Sequence, residues 1–225
     1  VVETSILDAS QTDQAVALLR GGELVALPTE TVYGLAADAG NDAAVEKVFT
    51  AKGRPAGHPL IVHLESLEHA HDWVEGTPSA ARRLAERFWP GPLTMILRKA
   101  VRVSNRITGG LDTVALRVPD HPVAAAVIRG LGRGIVAPSA NAHKKTSPTR
   151  PEHVLRTLAG RIAAIVDAGP CRVGIESTIV DMTRDVPVVL RPGAVTPSMI
   201  EEALGVPVET PWKHAERVPG NMQAH

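Results

Sequence analysis

Apolar residues follow two patterns along the chain, a helical spacing and short continuous runs, and together these predict helices that alternate with strands. A spacing of three to four residues predicts helices over 12–20, 41–53, 78–88 and 121–130, and two more that start at 151 and 197. Short apolar runs bounded by glycine, proline or polar residues predict strands over 23–27, 59–64, 92–99, 113–119, 134–138, 163–169, 177–183 and 187–193. The last two strands have no helix between them, so part of the sheet is expected to be antiparallel. The pattern predicts an α/β fold with a mixed sheet.

Length and composition predict one main domain, and the balance of charges predicts no strong overall electrostatic field. The chain has 225 residues, 44% of them hydrophobic, which is enough to bury a single large core. Its 24 basic residues balance its 24 acidic residues, so the net charge indicates no nucleic-acid or membrane partner. Any basic site must therefore be a local cluster.

Cysteine content and apolar-run length narrow the class of protein further. Cys171 is the only cysteine, which excludes an intramolecular disulfide framework and a zinc site built from cysteines. No apolar run approaches the roughly 20 residues that a membrane span needs. The three tryptophans, two phenylalanines and one tyrosine are too scattered for a base-stacking platform. We expect a cytoplasmic protein with no membrane partner.

The common sequence signatures of nucleotide-binding and hydrolytic sites are absent. The chain has no G-x-x-x-x-G-K-[ST], and its GLGRG at 130–134 precedes a predicted strand, whereas a dinucleotide-binding loop follows one. It also has no H-E-x-x-H and no G-x-S-x-G. Zinc enzymes and hydrolases with a nucleophilic serine are therefore disfavoured.

Polar and cationic side chains collect where the predicted strands end. These residues are Thr29, Thr31, Lys52, Arg54, Arg117, Ser139, Asn141, Ser147, Thr149, Ser177, Thr178 and Arg191. Ligands of open α/β sheets bind outside strand ends, so we expect these side chains to converge on one crevice. Four cations with several hydroxyl donors suit a polyphosphate.

Several of these residues, and also His63, have a purely structural interpretation. Lys52 and Arg54 lie at the end of a predicted helix, where a cation complements the helix dipole. Ser139 and Asn141 are residue types common in turns and caps. His63 lies on a strand, where a histidine is commonly a packed or surface residue. The residues alone predict an anion or nucleotide site and no named reaction.

Seven motifs, taken in order, resemble one known family. They are PTETVYGLAADA (28–39), KGRPAGHPLIVHL (52–64), WPGPLT (89–94), VALRVPDHP (114–122), APSANAHKKTSPT (137–149), GIESTIVD (174–181) and LRPGAV (190–195). Their order and spacing are similar to those of the YrdC-like threonylcarbamoyl-AMP synthases, over roughly residues 10 to 205. The resemblance implies a twisted open sheet with flanking helices, the YrdC-like fold, and a deep basic concave surface.

The resemblance also implies an activity. Members of this family make L-threonylcarbamoyl-AMP and pyrophosphate from L-threonine, bicarbonate or CO2 and ATP, with Mg2+ accompanying the ATP. The product feeds the threonylcarbamoyl modification of adenosine 37 in tRNA, and a separate transfer complex carries out that step. The implied class is a nucleotidyltransferase.

Site residues follow from the motif matches. The ATP-binding residues implied are Lys52, Arg54, His58, Thr113, Ser139, Asn141, Ser147 and Arg191, of which Lys52 and Arg54 also serve catalysis. The L-threonine-binding residues implied are Thr31, His63, Arg117, Ala137 and Ser177. Position 58 departs from the family, which usually has Asn there. An imidazole lacks the donor-plus-acceptor pair of an amide, so the contact made at this position is expected to differ.

Two other functions stay open, and the resemblance also implies a boundary near the end of the chain. The alternatives are a double-stranded RNA-binding module and a carbamoyltransferase domain that uses carbamoyl phosphate. Residues 1–208 are predicted to form the catalytic domain. Residues 209–225 are rich in proline and polar side chains, and are predicted to be a linker or tail leading to a second domain outside this chain.

Overall fold

The computed structural model describes residues 3–210, which form ten strands and seven α-helices. The strands are β1 (Ser5–Asp8), β2 (Val25–Leu27), β3 (Gly34–Asp38), β4 (Ile61–His63), β5 (Leu93–Arg98), β6 (Thr113–Arg117), β7 (Ile135–Val136), β8 (Ala164–Asp167), β9 (Thr178–Asp181) and β10 (Val188–Arg191). The helices are α1 (Thr12–Arg20), α2 (Asp42–Lys52), α3 (Ser79–Phe88), α4 (Asn105–Thr108), α5 (Pro122–Leu131), α6 (Pro151–Leu158) and α7 (Pro197–Leu204). A 3₁₀ helix spans Leu67–Asp72.

The predicted helices form where their start and stop residues lie. Asn41 caps α2, and its side chain accepts hydrogen bonds from the backbone of Ala43 and Ala44. Gly53 ends the same helix in the left-handed conformation, with φ of 61°. Thr196 caps α7 by accepting from the Met199 backbone. Local capping chemistry therefore sets these boundaries.

The structure adds two strands that the sequence pattern did not predict. β3 has the sequence GLAAD and is buried along its whole length, so it shows neither alternation nor the β-branched residues typical of strands. β1 is a four-residue strand with one buried side chain, Leu7. Both strands depend on pairing with distant segments, which local patterns do not encode.

The strands form one mixed sheet. Their order is β1-β8-β2-β3-β7-β4-β6-β5-β9-β10. β4 pairs with β6 in parallel, whereas β9 and β10 are antiparallel. The predicted α/β class, with a mixed sheet and flanking helices, is confirmed.

Helices pack against the sheet through two large apolar clusters. One cluster combines buried residues of α2, α3, α6 and α7 with strand residues such as Val62 and Leu116. The other combines α1 and α5 with β2, β7 and β8. A third, smaller cluster contains only strand residues, among them Ile61 and Ala115. Because Ile61 and Val62 point to opposite faces of the sheet, this third cluster marks a face of β4 and β6 that no helix residue joins.

The end of the described region continues the sheet edge. The Val189 amide donates to the Glu209 carbonyl at 2.8 Å, and the Glu209 amide donates to the Pro187 carbonyl at 2.9 Å. Residues 211–225, most of the predicted linker, lie outside the described residues, so the boundary after 208 stays a prediction. Within residues 3–210, every helix is too short or too polar to span a bilayer.

Candidate functional site

A pocket opens where the predicted strand-end residues meet. Sequence-predicted residues that line it are Thr29, Thr31, Arg54, His63, Arg117, Ala137, Ser139, Ser177 and Arg191. The parallel register of β4 and β6 pairs His63 with Arg117, so both last residues of these strands lie side by side. Ile61, two residues before His63, lines the same pocket. Seven of the twelve strand-end residues therefore line one pocket, whereas the other five do not: Lys52, Asn141, Ser147, Thr149 and Thr178.

Arg117 is held on three sides by neighbouring groups. Its Nη2 lies 2.7 Å from Glu30 Oε1, and both side chains are almost completely buried. Its Nη1 donates to Thr31 Oγ1 at 2.9 Å, and its Nε donates to the Gly91 carbonyl at 3.3 Å. The guanidinium is thereby fixed in one orientation and keeps a charge-balancing carboxylate beside it.

His63 presents a neutral imidazole to the pocket. Burial lowers the pKa of His63 to about 3, and the positive charge of Arg117 lowers it further. Its Nδ1 is buried and has no hydrogen-bond partner among the described residues. A buried polar atom without a partner is costly, so this nitrogen fits a contact with a bound ligand.

Lys52 does not line the pocket, but it is hydrogen-bonded to the segment that contains Ser139 and Asn141. Its Nζ donates to the Asn141 carbonyl at 2.6 Å and also to the Ser139 carbonyl. Burial lowers the pKa of Lys52 to about 7, and the charge of Arg54 adds to this effect. Glu176 opposes it. An anion close to Lys52 would favour its charged form.

Arg54 approaches the pocket from the loop after α2. Its Nη2 donates to the Pro59 carbonyl at 2.9 Å, whereas its buried Nε has no hydrogen-bond partner among the described residues. Burial lowers the pKa of Arg54 to about 10, which leaves it charged at neutral pH. Arg54 is therefore a cation held at one end, with an Nε donor that no acceptor within residues 3–210 uses.

A change of strand register accompanies Arg191. The pairing of β10 with β9 shifts between Val189 and Arg191, and such irregularities re-aim side chains. Arg191 Nε donates to the Ser177 carbonyl at 2.9 Å, and its Nη2 donates to Ser177 Oγ at 3.0 Å. Ser177 Oγ also lies 2.8 Å from Thr94 Oγ1. Arg191 and Ser177 therefore form one rigid unit at the pocket.

Ser147 and Asn141, like Lys52, lie close to the pocket without lining it. Ser147 Oγ donates to Glu176 Oε1 at 2.6 Å, and Glu176 is itself a lining residue. Asn141 is buried, its amide donates to the Ala142 and Lys145 carbonyls, and its Oδ1 has no partner among the described residues. Ser147 is connected to the pocket through Glu176, and Asn141 through its backbone amide, which donates to the Ser139 carbonyl.

Two others are not brought to the pocket wall. Thr113 begins β6 and pairs with Arg98, so it lies at the opposite end of that strand from Arg117. His58 lies in the loop before β4, with its ring centroid 5.5 Å from that of His143 in an edge-to-face arrangement. The ATP-binding roles of Thr113 and His58 stay predictions.

Sequence reasoning missed two carboxylates that the structure places at the site. Glu30 pairs with Arg117, and Glu176 contacts Ser147. Both lie inside quoted motifs, PTETVYG and GIEST, beside hydroxyl residues. An anion site is predicted from residue types that attract negative charge, and acidic residues in the same motifs give no such signal.

A family model decides the classification. The model named Sua5_yciO_yrdC, described as "Telomere recombination", matches residues 17–193. The chain belongs to this family. The predicted family resemblance is thereby confirmed, and the matched region contains all the residues that line the pocket.

Curated relatives and solved structures agree with this assignment. The chain is 53% identical over 196 residues to the threonylcarbamoyl-AMP synthase of Bacillus subtilis, an alignment that covers 87% of this chain and 57% of the relative. It is 49% identical over 191 residues to that of Pyrococcus abyssi, covering 85% and 56%. The crystal structure of P. abyssi Sua5 complexed with L-threonine superposes with a TM-score of 0.94 at 43% identity, covering 99% of this chain and 68% of that one. The YrdC-like fold is confirmed, and the chain spans little more than half the length of these two curated relatives.

Proposed function

We propose that this chain carries the catalytic site of a threonylcarbamoyl-AMP synthase. The reaction joins L-threonine, bicarbonate or CO2 and ATP, and releases L-threonylcarbamoyl-AMP and pyrophosphate. The observation that carries the proposal is that one pocket brings Arg54 and Arg191 together with Thr31, His63 and Arg117. Cations for a polyphosphate and donors for an amino acid thus lie within reach of each other.

The inner part of the pocket suits L-threonine. Arg117, oriented by Glu30, offers a guanidinium to the substrate carboxylate. The Nδ1 of neutral His63, which has no partner within residues 3–210, can take part in one hydrogen bond with the threonine hydroxyl or amine. Thr31 and Ser177 add hydroxyl groups, and the Ala137 backbone closes this side. These residue types match the polar groups of a small hydroxylated amino acid.

The outer part suits the nucleotide. Arg54, Arg191 and Ser147 offer N–H and O–H donors, and Lys52 is hydrogen-bonded to the Ser139 and Asn141 carbonyls. Phosphate charge would raise the pKa of Lys52 from about 7 and keep it protonated in the complex. Positive charge placed before the reaction stabilises the oxygens of the leaving pyrophosphate.

The chemistry requires no protein nucleophile. The uncharged amine of threonine attacks CO2 and loses a proton, which gives an N-carboxylate. One oxygen of that carboxylate then attacks the α-phosphorus of ATP in line; the bond to the β-phosphate oxygen breaks, and pyrophosphate leaves. The protein contributes position and charge, and exclusion of water protects the labile carbamate.

Mg2+ would arrive with ATP as part of the substrate. No group of three or more potential metal ligands occurs among the described histidines, cysteines and carboxylates. Mg2+ in nucleotide sites is held mainly by phosphates and water with one or two carboxylates, so a pocket lined by the single carboxylate of Glu176 fits that arrangement. Bound Mg2+ would supply charge neutralisation of the phosphates.

This activity would give the protein a place in cytoplasmic tRNA modification. Its product is an activated acyl adenylate, which a threonylcarbamoyl-transfer complex would consume at adenosine 37 of tRNA. The relatives' names favour the synthase over a carbamoyl phosphate-using carbamoyltransferase domain. RNA binding without chemistry would instead show a steep loss of affinity with added salt and no ATP turnover.

The test is pyrophosphate release from ATP, with L-threonine and bicarbonate each present or withheld. Release that requires both substrates supports the synthase. The measurement should use this chain and, in parallel, a version extended to the full length of its relatives. If the extended protein binds ATP and releases no pyrophosphate with both substrates present, the proposal is wrong.

A further inference from the structure

Glu176 stands out within the pocket because of its charge. Among the described residues that line the pocket, it is the only one with a carboxylate. Its side chain is 35% exposed, so it faces the opening. Glu30, the other carboxylate close by, is 1% exposed and lies behind the pocket wall against Arg117. A negative charge therefore sits where the proposed function places phosphates.

The contacts of Glu176 involve donors that a phosphate would use. Oε1 accepts a hydrogen bond of 2.6 Å from Ser147 Oγ, and Oε2 lies 3.6 Å from Arg191 Nη2. The negative charge of Glu176 also counteracts the pKa lowering that burial causes at Lys52, Arg54 and Arg191. This carboxylate balances the positive charges in the outer part of the pocket.

Carboxylate and phosphate oxygens compete for the same partners. Both are anionic acceptors of charge-assisted hydrogen bonds, and two such anions repel each other at short range. An anion that enters the pocket must therefore displace Glu176 from Ser147 and Arg191, or bind beside an uncompensated negative charge. Both routes reduce the affinity for small anions that make few other contacts.

We propose that Glu176 is an internal competitor for the anion site, which holds Ser147 and Arg191 until a nucleotide phosphate replaces its carboxylate. The inference deepens the proposed function, because it assumes that the anion that belongs in this pocket is a phosphate. Glu176 then acts as a specificity-determining residue. A nucleotide with several phosphates and a base gains enough contacts to displace it, whereas a small free anion does not.

The test measures pyrophosphate binding by calorimetry in the presence of EDTA, so that metal ions play no part. Glu176→Gln keeps the size of the side chain and an acceptor for Ser147, and removes the charge. It is expected to bind pyrophosphate at least about tenfold more tightly than the wild type, which corresponds to ~1.4 kcal/mol. Glu176→Asp keeps the charge and is expected to bind like the wild type.

A matched control separates this local effect from a change in overall charge. Glu86 is exposed on α3, away from the pocket, and Glu86→Gln should leave the affinity for pyrophosphate unchanged. Thermal unfolding of each variant establishes that it is folded, as the half-exposed position of Glu176 predicts. Equal or weaker binding by Glu176→Gln overturns the inference.

Failure of the inference can be told apart from failure of the proposed function. Suppose that the wild type releases pyrophosphate with both substrates and that Glu176→Gln binds pyrophosphate no more tightly than the wild type. The synthase activity is then supported, and the proposed competition between the Glu176 carboxylate and phosphate is refuted. If the variant binds pyrophosphate more tightly while the wild type and its extended version release none, the competing carboxylate is supported and the synthase is refuted.

Discussion

The site, meaning the pocket lining together with Glu30 and Ser147 that contact it, has an inner and an outer half that bury charge in opposite ways. The inner half consists of Glu30, Thr31, His63 and Arg117, all of them at least 96% buried. There, Arg117 is paired with a carboxylate and His63 is neutral. The outer half, Arg54, Ser147, Glu176 and Arg191, is more open and has three polar side chains that are only partly buried.

The difference shows how surroundings set the role of a carboxylate. Glu30 cannot leave Arg117, because removing either partner would strand a buried charge. Glu176 is in contact with water and can exchange its partners at small cost. The inner half is thus fixed before a ligand arrives, while the outer half can change its hydrogen bonds when an anion binds.

The largest effect is expected from Glu30→Gln, which leaves the charge of Arg117 buried without compensation. We expect the free energy of unfolding to fall by about 3–5 kcal/mol, the usual cost of breaking a buried pair. Urea denaturation measures it. Glu176→Gln is the matched control in the outer half, with an expected change below ~1 kcal/mol. Similar losses in both variants would abolish the distinction between the two halves.

Arg54→Ala is expected to reduce pyrophosphate release with all substrates present by about 100-fold in kcat/KM, because it removes a preorganised cation from the outer half. Stability should change little by comparison, since Arg54 has one described hydrogen bond, to a carbonyl of its own loop. Arg106→Ala removes an exposed arginine that pairs with Glu46, and serves as the control. If Arg54→Ala keeps the wild-type rate, the cation of the outer half does not contribute to catalysis and this assignment is wrong.

Acid should destabilise the protein through the inner half. The pKa of His63 is about 3 in the folded state and near 6.5 when unfolded, so between these values the unfolded chain binds more protons. Stability is therefore lost as pH falls below 6.5, by about 2 kcal/mol at pH 5 from this residue. Urea denaturation at pH 7.5 and pH 5 measures the loss. His63→Asn should lose less over the same interval; an equal loss would mean that His63 is not buried in its neutral form.

The smallest effect is expected from Thr113→Ala. Because Thr113 lies at the opposite end of β6 from Arg117, its loss should raise the KM for ATP by no more than the equivalent of ~1 kcal/mol, one net hydrogen bond. Steady-state kinetics with varied ATP measures it, with Ser147→Ala as the comparison inside the outer half. A larger rise for Thr113→Ala than for Ser147→Ala would extend the nucleotide site along β6.

Local chemistry made much of the fold predictable. The bounds of α1 match the predicted range, and Asn41 and Gly53 flank α2 as capping residues should. β3 was missed because GLAAD is buried throughout and lacks β-branched residues, so its strand character comes from pairing with β2 and β7. Such pairings join segments far apart in sequence, and no local pattern reports them.

For the site, the sequence alone determined which residue types are present and where each strand ends, because periodicity and capping act over a few neighbouring residues. The tertiary structure decided which of them face one another. It paired His63 with Arg117 through the register of β4 and β6, and it placed Arg191 at the pocket beside a shift in the register of β10. It also gave Glu30 and Glu176 different roles, because the charge state and freedom of a carboxylate depend on burial and on partners brought from distant parts of the chain.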